Sequence, residues 1–239
     1  MGTGADGREP RLPNLKVDGI SRAPGGHYRI VNVNGVVTVA GDVRAESIKV
    51  DGHTKLLGSV DAETFACDGV TRVEGELRSG NARTNGVLTV DGAASGGELR
   101  QSGMLNVKGD CSYERFVSDG GFAIDGLLNA DVIEAKLFAP CRARDIGGEK
   151  IAVTAKPKNM LSRLWQRTFR KLSVELTADT IEGDDIALEE TTAGVVRGNR
   201  VVIGRGCRIG KVEYRSELVV HPGAAVAKEE KIDGGHRFA

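Results

Sequence analysis

Aromatic side chains are scarce. They make up 4% of the 239 residues, with a single tryptophan, which leaves any core to small and branched aliphatic residues. Net charge is lacking too: the 33 basic and 33 acidic residues cancel. No global field therefore draws the whole protein towards nucleic acid or an anionic surface, and such a partner must be met by a local patch. Closely spaced cysteines are missing. Cys67, Cys111, Cys141 and Cys207 stand far apart, without the Cys-x-x-Cys spacing of zinc ribbons or redox pairs. A chain of this size has no need of disulfide staples, so all four are expected as reduced thiols. No apolar run of eighteen residues occurs, and Met1 to Asn14 are polar and rich in Gly and Pro. Neither a membrane-spanning helix nor a signal peptide is predicted, and the expected location is the cytoplasm.

Glycine, by contrast, is abundant and placed in register. Gly35, Gly52, Gly69, Gly86, Gly103 and Gly120 fall seventeen residues apart. Gly41, Gly58, Gly75, Gly92, Gly109 and Gly126 repeat the interval, and Gly19 and Gly25 extend both series with one residue deleted. Self-similarity at a fixed period marks stacked repeats. Aliphatic columns share the period: Val39, Leu56, Val73, Val90, Val107, Ile124; Val43, Val60, Leu77, Ala94, Cys111, Leu128; and Ile48, Phe65, Ala82, Leu99, Phe116, Ile133. They predict inward-facing ladders. Along each coil apolar and polar residues alternate, as in VVTVAGDV, the two-residue period of a strand with one buried face. The residue before the first Gly of each coil is Asp18, Asn34, Asp51, Asp68, Asn85, Ser102 or Asp119. Asx-Gly supplies the positive-φ geometry of a tight corner, so each coil is predicted to turn there. Stacked Asp columns can hold calcium, but the spaced ligands of Gly- and Asp-rich calcium repeats are missing, and no metal or cofactor is expected.

After Ile133 the register loosens into one irregular coil over 134–149, in which Leu137, Ala139, Cys141 and Ala143 still alternate. The period returns with Ile186, Ile203 and Val220, with Val195 and Val212, with Gly206 and Gly223, and with Ile209 and Val226. The expected fold is all-β: a single-stranded β-helix, or β-solenoid, of about 17 residues per coil and roughly eleven coils over 12–227. At about 4.8 Å per coil it makes a rod on the order of 50 Å long. Residues 1–11 and 228–239 read as polar tails.

One segment breaks the pattern. Lys156, Lys158, Arg163, Arg167, Arg170 and Lys171 are unrelieved by any acid between Glu149 and Glu175. Met160, Leu161, Leu164, Trp165, Phe169 and Leu172 recur at steps of three to five, so an insertion over 156–172 is predicted as a basic amphipathic helix. Packing of its apolar face on the rod is one reading. Docking on an anionic membrane through Leu161, Arg163, Leu164, Trp165, Arg167, Phe169, Arg170 and Lys171 is another, because Trp, Phe and Leu opposite Lys and Arg is an interfacial composition. As a nucleic-acid signal the stretch is weak.

Candidates for catalysis do not converge. His27, His53, His221 and His236 occupy unrelated phases of the repeat. Glu46 with Glu63, and Glu114 with Asp131, are the carboxylate pairs that stacking brings together, and only Tyr113 offers a nearby aromatic platform of the kind glycosidase chemistry uses. IGRGCRIG looks like two hexapeptides of the left-handed β-helix acyltransferases, but an interval of seventeen in both halves of the chain does not divide into three equal sides.

Coils of this length, aliphatic columns, Gly at the corners and short polar tails together resemble the bactofilins, bacterial polymer-forming cytoskeletal proteins. The likeness is clearest over Val33–Ile133 and in VVIGRGCRIGKVEY. It implies a right-handed, triangular β-helix that polymerises end to end without nucleotide, a scaffold for cell-envelope or cell-shape machinery and not an enzyme. Its partners would be further copies of itself, envelope proteins and, through the insertion, the inner face of an anionic membrane. Physics points the same way, since a solenoid exposes an unpaired strand edge at each end; Leu15, Val17, Leu218, Val219, Val220 and Val226 are the expected contacts. A non-polymerising adaptor rod is the alternative, and a hexapeptide-type acyltransferase or polysaccharide-active enzyme the third reading.

Overall fold

The structure, a computed structural model, describes residues 12–155 and 174–232. Its strands are β1 (Leu15–Leu56), β2 (Val60–Cys67), β3 (Val70–Val73), β4 (Leu77–Thr84), β5 (Val87–Val90), β6 (Ala94–Gln101) and β7 (Met104–Val107). They continue as β8 (Cys111–Ser118), β9 (Gly121–Leu137), β10 (Cys141–Ala155), β11 (Leu176–Leu188), β12 (Thr191–Ile203), β13 (Arg208–Val220) and β14 (Ala225–Lys231). Each pairs in parallel with the strand one coil further on. The result is the expected β-solenoid, of about 10 turns. β14 runs to Lys231, past the expected end of the repeat at 227.

One coil shows how alternation becomes a triangle. From Val60 the buried residues are Val60, Ala62, Phe65, Cys67, Thr71 and Val73, after which Leu77 begins the next coil. Inward positions two apart lie on one side, while gaps of three or four residues carry the chain round a corner, where alternation skips a beat. The three aliphatic columns are buried at every level, as their ladder pairs Val43↔Val60, Val60↔Leu77 and Ile48↔Phe65 require.

The glycine corners depend less on φ than the sequence suggests. Gly19, Gly35, Gly41 and Gly52 do have positive φ, but Gly69, Gly75, Gly86 and Gly92 are not among the positive-φ glycines. What those later corners require is close approach. A Cβ on Gly86 would stand 1.9 Å from the carbonyl oxygen of Gly69, and one on Gly103 would stand 1.9 Å from that of Gly86. Each corner thus rests on the backbone of the corner before it.

The repeat length also changes along the rod. Phe122 pairs with Cys141 and Leu128 with Ile146, intervals of nineteen and eighteen, with a register shift between Ala143 and Asp145. Further on the interval is not seventeen. Ile186 stacks on Val201, and Ile203 stacks on Leu188, a spacing of fifteen. Val212 pairs with the buried Val196, whereas Val195 pairs with Lys211. Here the inward residues Ile181, Gly183, Ile186, Leu188, Thr191, Ala193 and Val196 follow alternate steps of two and three. This gives three equal sides of five residues. The equal sides that a constant seventeen excludes therefore do occur, five residues long instead of six. Each long corner has lost its extra residue; at Glu189-Glu190 the turn is made by Glu190 with φ 45°. Seventeen returns at Ile203↔Val220 and Ile209↔Val226.

If carbonyl approach governs the corners, Gly86→Ala loses about 2–4 kcal/mol of stability in urea unfolding. Gly41→Asn, which has open space and a backbone that Asn tolerates, loses under about 1 kcal/mol. Equal losses at the two sites would show that approach of the neighbouring carbonyl is not what selects glycine.

Candidate assembly surfaces at the ends of the rod

Leu15 and Val17 lie in the first coil of β1, Val17 buried and Leu15 half-buried. That coil is tied to the second by Arg29 N–H donating to the Pro13 carbonyl at 2.8 Å and by Asn34 Nδ2 donating to Asp18 Oδ1 at 3.3 Å. At the other end β14 pairs with β13 only from Arg208 to Tyr214. Among the described residues no strand covers Arg215–Val220. Leu218 and Val220 stack on Val201 and Ile203, which are fully buried, yet are themselves only half-buried. Val219 faces outward and is 46% exposed, and Val226 stacks half-buried on Ile209. The expected contact residues thus form two sets at opposite ends, which only a second molecule could bring together.

Backbone direction divides these residues further. The Ile203 carbonyl accepts from His221 N–H at 2.8 Å, as those of Cys67 and Val50 accept from Asn85 and Asp68 at 2.9 Å. On this side, then, the inward residue turns its polar groups towards the following coil. Alternate residues of a parallel ladder face opposite neighbours. By this geometry Leu218 and Val220 direct N–H and C=O to the open end, while Val219 bonds back to β12. At the first coil the sense reverses, and the open groups belong to outward Lys16, a residue that hydrophobic patterning could not single out.

Elsewhere the candidate chemistry disperses. Glu46, Glu63, Glu114 and Asp131 are all exposed along one corner, where Gly80 and Gly97 separate the two pairs. Tyr113 is not beside them on the surface; it points inward, 4% exposed, and its hydroxyl lies 3.3 Å from Ser79 Oγ. Asp131 lines a shallow acidic groove with Glu149, Glu182 and Asp184. A second, open groove of about 490 Å³ is lined by His27, Asp42, Arg44, Asp61, Glu76 and Arg78, with charges of both signs. His53 and His221 are exposed on other coils, and His236 lies outside the described residues. So do Leu161, Arg163, Leu164, Trp165, Arg167, Phe169, Arg170 and Lys171 of the insertion. All four cysteines are free and buried; burial pushes the Cys111 thiol up to about 12 and the Cys141 thiol up to about 11.

Comparison with known proteins finds relatives without an assigned activity. A stretch of 112 residues, 46% of this chain, is 43% identical to the uncharacterized protein YhbE of Bacillus subtilis (strain 168) and covers 44% of it. Another of 108 residues, 45% of the chain, is 35% identical to the uncharacterized protein YhbF of the same strain and covers 42% of it. The similarity thus spans less than half the length of either relative. No family model matches the chain, and no solved structure matches it.

Two outcomes follow from this geometry. Ile203→Lys, beneath a covering coil, should cost about 3–5 kcal/mol, whereas Val220→Lys at the open end costs under about 1.5 kcal/mol in the dispersed protein. Comparable losses in thermal melts would mean that Val220 is covered in solution. Cys111 and Cys141 should resist iodoacetamide at pH 8.5 in the native protein and react in urea, because the thiolate is the nucleophile. Fast native labelling at these sites would show that the interior opens.

Proposed function

We propose that this chain is a bactofilin-like scaffold that assembles end to end into nucleotide-independent filaments, on which cell-envelope or cell-shape machinery can be organised. The supporting observation is the open half of β13, where Leu218 and Val220 stand half-exposed in columns whose preceding members, Val201 and Ile203, are fully buried. A further coil from a second molecule would complete the columns and accept the backbone groups that Leu218 and Val220 turn outward. Each completed aliphatic contact is worth roughly 1 kcal/mol and each ladder bond about 0.5–1.5 kcal/mol. Together they reach several kcal/mol, offset in part by lost freedom of motion, so assembly should depend on concentration. Burial of the chemistry-bearing side chains favours this reading over an enzyme: Tyr113 and the four thiols face the core.

Analytical sedimentation with negative-stain microscopy tests the proposal. The wild-type protein should form filaments whose width is that of one or a few rods and whose length grows with concentration. Val220→Pro removes an N–H aimed at the open end without touching the β12 ladder, and should shorten them several-fold while the thermal melt shifts little. A protein that remains monomeric at every concentration sinks the scaffold reading and leaves the adaptor rod.

A further inference from the structure

The corner column that reads Asp18, Asn34, Asp51, Asp68, Asn85, Ser102, Asp119 contains two identical dipeptides, Asn34-Gly35 and Asn85-Gly86. In such a pair the side-chain amide is open to attack by the next backbone nitrogen, because glycine carries no Cβ to hinder the approach and the reacting groups share one short stretch of chain. The two dipeptides differ in their surroundings. Asn34-Gly35 lies inside β1, which runs unbroken from Leu15 to Leu56. Asn85-Gly86 falls in the break between β4, which ends at Thr84, and β5, which begins at Val87. Asn85 N–H and Val87 N–H donate back to the Cys67 and Gly69 carbonyls at 2.9 and 2.8 Å, whereas the Gly86 N–H between them donates to no backbone carbonyl among the described residues.

The side chains differ as well. Asn85 Nδ2 donates to Asp68 Oδ1 at 2.6 Å, and Asn85 Oδ1 accepts from Ser102 Oγ at 3.4 Å. Arg83, two residues upstream, shares a column with Lys49 through Lys49↔Ala66 and Ala66↔Arg83, and from that position Lys49 reaches Asp51 at 3.0 Å. Negative charge growing on the Asn85 amide oxygen therefore has a hydroxyl in contact and a guanidinium within reach. Asn34 has neither. Its neighbours one coil away are Asp18, to which its Nδ2 donates at 3.3 Å, and Asp51, and two residues upstream stands Asn32. Lys16 and Lys49 are committed to those two acids at 3.2 and 3.0 Å. Charge growing between two carboxylates stacked at about 4.8 Å per coil is disfavoured.

From this we infer that Asn85 is a site of spontaneous self-modification, at which the folded chain records its own age. The Gly86 nitrogen bonds to Asn85 Cγ and the Cγ–Nδ2 bond breaks. Nδ2 leaves as ammonia, taking up the proton that the Gly86 nitrogen gives up, and a succinimide ring closes. Water then opens the ring: addition at Cγ gives aspartate, and addition at the main-chain carbonyl carbon gives isoaspartate, whose backbone runs through the former side chain. Nothing is oxidised or reduced, and water is the one co-reactant. Either product loses the donor to Asp68 and sets a second carboxylate beside it. Isoaspartate also lengthens the backbone at a corner where a Cβ on Gly86 would stand 1.9 Å from the Gly69 carbonyl oxygen. The inference is independent of end-to-end assembly, since Asn85 lies on the middle coils, away from both ends.

The test is to age the full chain at neutral pH and body temperature in water enriched in heavy oxygen, and to map its peptides by mass spectrometry. The peptide containing Asn85 should take up heavy oxygen about five-fold faster than the peptide containing Asn34. In urea, where both dipeptides are unfolded, the two rates should converge. Ser102→Ala and Arg83→Gln should each slow Asn85 about two-fold with an unaltered melt, whereas Asp51→Ser, which offers Asn34 a hydroxyl in place of an acid, should speed Asn34. Asn85→Asp reproduces the product of unaltered backbone length and should melt a few degrees lower at neutral pH; Asp68→Asn added to it, which restores an amide opposite the carboxylate, should recover the loss. Equal rates at Asn34 and Asn85 in the native protein overturn the inference. So does a difference that persists in urea, because local sequence would then set it, and so does reaction at Asn85 only after unfolding.

Discussion

Parallel strands stack at about 4.8 Å, and in a solenoid that distance separates every residue from its counterpart a coil away. Whatever occupies one level must therefore be compatible with the same position above and below. At the corners, where backbone passes over backbone, this leaves no room for a Cβ, which is why Gly52, Gly69, Gly86, Gly103 and Gly120 follow one another in a line. On the sides the same spacing makes continuous aliphatic ladders, with Phe65 and Phe116 fitted where smaller neighbours such as Ala82 make way. A core of this kind needs few aromatics because each side chain fills a slot one coil thick.

Where Gly96 and Gln101 depart from their columns, the neighbours compensate. Gly96 has no side chain, and Tyr113 one coil on fills the gap, reaching Ser79 two coils down. In the next column polar residues replace aliphatic ones at Thr84, Gln101 and Ser118, all buried. Gln101 settles its amide by donating to Ser118 Oγ and the Gly121 carbonyl while accepting from Gly103 N–H. A buried amide satisfied by partners in its own and the following coil is strongly tied to one register. The stretch with the most regular spacing is thus also the one in which a slip between coils would leave polar groups unpaired.

How far the sequence could be read follows from the same constraint. From Val33 to Ile133 every coil has glycine at two fixed places, and these phase the alternation without ambiguity. Beyond Gly183 the glycine phase is lost, and the run Val201-Val202-Ile203 offers two inward aliphatics two residues apart. Ile186 could then stack on either with equal hydrophobic matching, and periodicity alone favours seventeen where backbone geometry selects fifteen. The exposure of Ile20, Val36 and Val70 is hidden in the sequence for a different reason. Ile20, Val36 and Val70 each stand beside a corner glycine and look like strand beginnings; their exposure is visible only once the corner is known to turn them outward. Of the expected contact residues, Leu218, Val220 and Val226 lie in the open columns, but the sense of each N–H and C=O depends on strand parity, which no hydrophobic pattern reports.

Ends and edges of a solenoid differ in kind. An end presents a one-coil template with its hydrogen-bond groups unfilled, and a partner that completed it would need the same spacing and the same columns. An edge has most of its backbone groups already paired within the ladder and offers side chains, repeated at each coil. At the open half of β13, Val219 turns its side chain outward while its backbone is engaged with β12. Because its polar groups are filled, Val219 adds no hydrogen-bonding group to the open end, which is left to the neighbouring Leu218 and Val220.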